Sequence, residues 1–504
     1  MKTQPTLPRN GVASAEIAEL VPTSFKIKPT KVALIGVGLK MHFVWADAVA
    51  NYHRAQKVLR VAGEDLGLEL HAPEEPFESP EALVNELDRL KGLGVTGIVL
   101  FHASYTAGEI GSVLGRWLSQ NKMPLFSWAF PEPQGGRLTA NSLCCQNFLL
   151  HILYRLDASY QWMFKDIGSP ECIPILRGFL SSVKALTHLN HGRLLLLGSG
   201  RVPGFYDAEA DEIAVLKRFG LRFDRVDLVQ VFDRAKRFND RELRKVMDAI
   251  TGASNCGLNN VSEQQFFQTL RLALGTLDIA AEEGYVGTAI RCWPDLWDHW
   301  GCAADGALSL INDAGLPAAD ETDMNGLITM AAMHAITNGE ALSTLMDISL
   351  LDPEKNVLGF WHCGGSATRL VREGTKFETR RHSIMENADE STAVGMLVES
   401  LLETGPVTVA RYLAPDSASV LVFEGDIVES PMAFRGSYAE FHPSAPSKAD
   451  QIMGTILSKG LDHHWVIGRG HFAEHLRQLN FWLDVTEESI SASGGGHGAR
   501  RARN

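Results

Sequence analysis

Short apolar runs alternate with amphipathic stretches through the first two-thirds of the chain. Residues 31–37 (KVALIGV) predict a buried strand, 44–62 a helix and 66–71 the next strand. Ser79-Pro80 predicts a helix start, with Ser as N-cap, Pro in the first turn and acids behind it. Residues 97–102 (GIVLFH) and 125–130 (LFSWAF) predict further strands. The pattern restarts at 193–197 (RLLLL), with a helix near 208–219, a strand near 226–231 and a helix near 241–250. Strand and helix in alternation predict parallel sheets. After about residue 351 the style changes. Residues 357–361, 407–413, 420–424 and 432–435 predict short strands separated by Gly, Pro and Asp, with no long helix until 472–483. The predicted fold class is α/β: two Rossmann-like parallel-sheet domains followed by a mostly β, small-barrel C-terminal domain. The boundaries fall at 1–30 for an N-terminal arm, 31–185 and 186–350 for the α/β domains, 351–487 for the β domain and 488–504 for a flexible tail.

One stretch, 315–352, organises the rest. Its first residues, 315–319, predict a short buried strand, after which Asp320-Glu321-Thr322-Asp323 places three carboxylates in four positions. Asn325-Gly326 opens a helix that Asp323 or Asn325 can cap. Leu327, Met330, Ala331, His334 and Ala335 follow helical spacing on one side, and Ile328, Ala332 and Ile336 cover the other, so the helix is buried nearly all round. Residues 343–351 then alternate. Thr344, Met346, Ile348 and Leu350 point one way, and Leu345, Asp347 and Ser349 the other. Asp347 is a carboxylate within a strand, and an acid there needs a partner or a metal. This order puts Glu321 and Asp347 at neighbouring strand ends, which suits a divalent metal or a general acid/base pair.

Composition narrows the partners. The 504 residues carry 47 Lys+Arg against 60 Asp+Glu, a net charge of −13, which disfavours a nucleic-acid or anionic-membrane surface. No apolar run approaches a membrane span. Residues 1–30 lack a continuous apolar core and contain Glu16 and Glu19, so they read as a loose arm rather than a signal peptide. The seven cysteines are scattered and form no CxxC, which predicts reduced thiols and a cytoplasmic setting.

Other residues carry candidate chemistry. Gly36-Val37-Gly38 and Gly198-Ser199-Gly200 follow strands, but Met41 and Pro203 stand where a dinucleotide fingerprint needs its third glycine; both read as tight turns. Four histidines (His463, His464, His471 and His475) cluster around a predicted strand near the C-terminus, as ready metal ligands. His362 ends a strand beside Gly364-Gly365, as a loop ligand or substrate donor would. His42 and His102 lie at or just beyond carboxyl ends of strands in the first domain, where ligands bind in parallel sheets. Arg291 and Trp293, in Arg291-Cys292-Trp293-Pro294-Asp295, belong to a rigid aromatic turn expected to line a pocket.

Four segments occur in one order: IRCWPDLWDHWGCAADGALSLINDAGLPAADETDMNG, FWHCGG, GPVTVAR and HHWVIGRGHFAEHLRQL. In this the chain resembles the L-fucose/L-arabinose isomerase superfamily, in its fucose isomerase-like branch, from about residue 30 to 485. The resemblance implies a metal-dependent aldose–ketose isomerase that works through a cis-enediol, with manganese or another divalent cation. It implies Glu321, Asp347 and His464 as metal ligands, the two acids also being catalytic. His464 is preferred to His463 because it keeps the spacing to the following Gly470-His471. Asp320 stands where many relatives have Cys. His362, Trp293, His102, His42 and Arg291 are the candidate sugar contacts. The resemblance also implies a homo-oligomer, a hexamer favoured, and leaves L-fucose, D-arabinose, L-arabinose or a modified hexose as substrate. The alternative is a non-catalytic sugar-binding or sensor protein of the same fold, which would have no need of ligands drawn from two domains.

Overall fold

Residues 10–23, 25–389 and 393–491 are described by the computed structural model. Residues 492–504, most of the expected flexible tail, lie outside the described residues. The chain divides into two compact units. One holds Ile27–His188 and Gln478–Trp482; the other holds Leu189–Arg477 with the described residues before Ile27 and after Trp482. No helix among the described residues is long and apolar enough to cross a membrane.

In the first unit five parallel strands lie in the order Leu68–His71, Thr30–Val37, Val95–His102, Leu125–Ala129, Gln161–Phe164. The strands Thr30–Val37 and Val95–His102 are buried along almost their whole length, which is why they read as continuous apolar runs. Helices cover both faces. The helix Pro80–Gly92 starts as its sequence predicts, with Ser79 Oγ accepting from the Ala82 amide.

The second unit contains a four-stranded parallel sheet in the order Ala318–Ala319, Gly287–Ile290, Arg193–Leu197, Arg222–Val226. The strand expected near 226–231 ends at Val226, and Leu228–Ala235 is helical. Leu228, Val231, Phe232 and Ala235 are its buried residues, and that spacing is helical rather than alternating. The arm before residue 30 is not wholly loose. Ser14–Leu20 is a helix, and Ala13, Ile17 and Val21, each four apart, are buried in this unit's core.

The same unit contains the mostly β part. Six strands, Ser343–Asp352, Val357–His362, Ser437–Pro443, Ser419–Val428, Gly405–Tyr412 and His464–Arg469, pair antiparallel in that cyclic order, so the ring closes as a small barrel. Phe360, Phe423, Phe441, Trp465 and Val409 belong to its core. Two details depart from the sequence reading. Residues 432–435 are irregular, the next strand starting at Ser437 after Gly436 at φ 148°. A helix, Ala449–Lys459, interrupts the β run.

Candidate active site

The acidic segment is a tight turn between a strand and a helix. Glu321 and Thr322 sit at φ 57° and 53°, in the left-handed region. For a β-branched residue that is costly, about 1–3 kcal/mol. Three hydrogen bonds hold it: Glu321 N to Asp320 Oδ1 (2.7 Å), Thr322 N to Ile290 O (3.1 Å) and Asp323 N to Asp320 O (2.9 Å). The turn gives its three acids different partners. Glu321 meets His464, Asp323 caps the helix Met324–Ile336 through the Gly326 amide, and Asp320 lies beside Cys292 and His362.

His464 begins its barrel strand directly opposite Asp347. It is 1% exposed. Its Nε2 lies 3.0 Å from Glu321 Oε2 and 3.5 Å from Asp347 Oδ1, and its Nδ1 lies 2.9 Å from Asp323 Oδ2. One imidazole edge thus faces both expected metal-binding carboxylates, while the other is anchored. Burial opposes a charge on His464, but Asp323 and Glu321 outweigh it and raise its pKa well above the ordinary value. Burial likewise pushes Glu321 upward, and contact with His464 more than reverses that. His463 takes another direction. Its side chain is 40% exposed and its Nδ1 lies 2.6 Å from Asp207 Oδ2. It still lies near enough to form a possible ligand group with Asp347 and His464.

Behind Asp323 stands Arg411, with no exposed surface. Its Nη1 and Nη2 donate to the two Asp323 oxygens at 2.5 and 3.0 Å, and its Nε donates to Asp462 Oδ2 at 2.6 Å. A bidentate guanidinium–carboxylate pair fixes orientation as well as charge. Sequence reasoning passed over Arg411, although one signal was there: a cation in the apolar run Val409-Ala410-Arg411-Tyr412-Leu413 must be buried and paired.

His362 ends the strand Val357–His362 and is 4% exposed. Its ring centroid is 5.5 Å from that of His464, and its Nδ1 lies 3.9 Å from Asp320 Oδ2 and 4.0 Å from Asp305 Oδ1. Burial, with Asp305 and Glu321 nearby, lifts Asp320 well above the carboxylate range. Ligand atoms of Glu321, His362 and His464 all lie within 4.8 Å of one another. Asp347 Oδ1 is buried and accepts no hydrogen bond among the described residues. Two carboxylates, one of them with an orphaned oxygen, and two imidazoles make a donor set that fits a divalent cation.

The other candidates scatter. Trp293 is at the site, its Nε1 donating to Glu321 Oε1 at 3.3 Å and its ring stacked on Trp297. Arg291 instead pairs with Asp295, Nε to Oδ2 at 2.9 Å. His42 and His102 belong to the other compact unit. His42 is exposed in the turn after its strand. His102, expected at a crevice, is fully buried in the interior, its ring nitrogens 2.8 Å from Ser127 Oγ and 3.4 Å from Cys145 Sγ. Burial lowers its pKa to about 3. It is a core histidine with both nitrogens engaged, so it has no face for a sugar.

No family model matches the chain. Curated relatives do. The sulfoquinovose isomerase of Alkalicoccus urumqiensis is 28% identical over 385 residues, 75% of this chain and 83% of the relative. That of Priestia aryabhattai is 25% identical over 420 residues, 82% of this chain and 90% of the relative. That of Clostridium sp. (strain MSTE9) is 25% identical over 375 residues, 72% and 80% of the two chains. By these relatives the chain is an enzyme of the sugar isomerase class, an intramolecular oxidoreductase.

Proposed function

We propose that this chain is a divalent-metal-dependent aldose–ketose isomerase whose aldose is a sulfonated hexose, sulfoquinovose. The observation that carries the chemistry is the meeting of Glu321, Asp347 and His464, with Glu321 Oε2 and Asp347 Oδ1 both facing His464 Nε2. Those three residues would hold the cation, with His362 beside them. The relatives' shared name supports the sugar: sulfoquinovose is glucose with a sulfonate in place of its C6 hydroxyl. L-Fucose and the arabinoses become the less supported substrates.

A divalent cation held by Glu321, Asp347 and His464 would supply Lewis-acid polarisation of the substrate's oxygens, which would make the C2–H more acidic. The chain's own residues manage the protons. One carboxylate of the Glu321–Asp347 pair takes the proton from C2, leaving a cis-enediol, and returns it to C1. The other carries the hydroxyl proton from O2 to O1. Trp293 steadies Glu321 by donating to Oε1, so Oε2 keeps one direction. Asp323 and Arg411 steady His464 in the same way.

The enzyme is further proposed to be cytoplasmic, all seven cysteines being free thiols. It is proposed to be a homo-oligomer, a hexamer favoured, by the same resemblance. The test is to strip the protein with a chelator, restore manganese and supply sulfoquinovose, L-fucose, D-arabinose and L-arabinose separately. Ketose formed from sulfoquinovose, only with metal, is the expected result. Full activity without metal, or turnover of the neutral sugars alone, contradicts the reading.

A further inference from the structure

Two buried ring nitrogens close to the site have no hydrogen-bond partner among the described residues: Trp297 Nε1, which can only donate, and His382 Nδ1, which donates in one of the two neutral tautomers. Their rings meet edge to face with centroids 5.0 Å apart. Trp297 in turn stacks on Trp293 at 6.0 Å, and Trp293 donates to Glu321. The rings form a line leading from the proton-carrying carboxylate to a pair of unanswered N–H groups. Trp297 lies in a π-helical turn, Leu296–Trp300, a geometry that recurs at functional sites.

A buried donor without an acceptor costs stability, and two of them at one substrate site are answered by a bound ligand or by ordered water. The surroundings say which kind. The acidic side chains at the site are acceptors already, and Asp305 Oδ1 and Asp347 Oδ1 have no donor among the described residues. A hydroxyl has no need of two further donors there. A group that only accepts, with several oxygens, does. Burial keeps His382 below its ordinary pKa despite Asp305 and Glu321, so the ring is neutral, and its Nδ1–H tautomer is the one that donates there.

We infer that Trp297 Nε1–H and His382 Nδ1–H together bind the sulfonate of the substrate and set the preference for a sulfonated over a neutral hexose. This rests on the substrate reading above. Trp297→Phe keeps the ring and removes the N–H. His382→Ala removes the second donor, and His382→Asn puts an amide N–H near the same place. The measurement is the ratio of kcat/KM for sulfoquinovose to that for glucose within each protein, so any general loss of folded enzyme cancels. We expect Trp297→Phe and His382→Ala each to lower that ratio ~10-fold or more, through KM for sulfoquinovose, with partial recovery in His382→Asn. An unchanged ratio in both, or equal losses on both sugars, overturns the inference while the isomerase reading stands. Wild-type enzyme that turns over glucose but never sulfoquinovose overturns the substrate reading, and this inference with it.

Discussion

Asp323 Oδ2 lies 2.9 Å from His464 Nδ1, and neither side chain is more than 1% exposed. The contact fixes which nitrogen of His464 faces Glu321 and Asp347. Asp323→Asn, which keeps the shape but loses the charge, is expected to weaken manganese binding roughly 10–100-fold and to lower activity with it. Titration of the metal-free proteins with manganese checks this. Unchanged affinity would show that Asp323 only caps its helix.

Arg411 bridges Asp323 and Asp462 inside the protein. Arg411→Met leaves two buried carboxylates without their cation. The expected loss is about 3–5 kcal/mol of stability, measured by urea unfolding of the metal-free protein. A loss below about 1 kcal/mol would mean that the two acids take up protons and tolerate the change.

His464 and His463 are neighbours with opposite surroundings, one buried against Glu321 and one half-exposed beside Asp207. His464→Ala is expected to abolish the manganese-dependent rise in melting temperature, and His463→Ala to keep most of it. The reverse pattern would move the ligand by one residue. If both variants keep the rise, neither histidine holds the cation.

Asp347 was legible in the sequence because a period-two strand sets its side chain beside Leu345, and a carboxylate there calls for a partner. Glu321 stood out because apolar sequence surrounds its turn. Arg411 did not, since its partners Asp323 and Asp462 are far away along the chain and only barrel closure brings them to it. His102 misled for a related reason. The carboxyl end of a parallel strand faces the crevice as a position, but the last side chain can still turn into a sheet face, as His102 does toward Ser127 and Cys145. Residues 226–231 read as a strand until the helical set Leu228, Val231, Phe232 and Ala235 is counted over a longer window.

The buried neutral His102 makes an acid-stability prediction. Burial holds it at about 3 in the folded chain. Unfolded, it takes a proton near 6.5. Below that pH the unfolded state binds a proton that the folded state refuses, so stability falls as pH drops from about 6.5 toward the folded value. For His102 the loss by about pH 5 is roughly 2 kcal/mol. Urea unfolding at about pH 7 and about pH 5 should show it, and His102→Gln should shrink the difference. A variant with the full wild-type difference would remove His102 as a source.

The Glu321–Asp347–His464 group is proposed to move the C2 proton of an aldose with a divalent cation in place. Proton NMR of sulfoquinovose in deuterium oxide reads this step itself, because exchange at C2 is seen even where equilibrium hides the ketose. With manganese restored, wild-type enzyme should replace the C2 proton with deuterium. Metal-stripped enzyme and the folded Asp347→Asn variant should not. Exchange that survives both metal removal and Asp347→Asn would contradict the account.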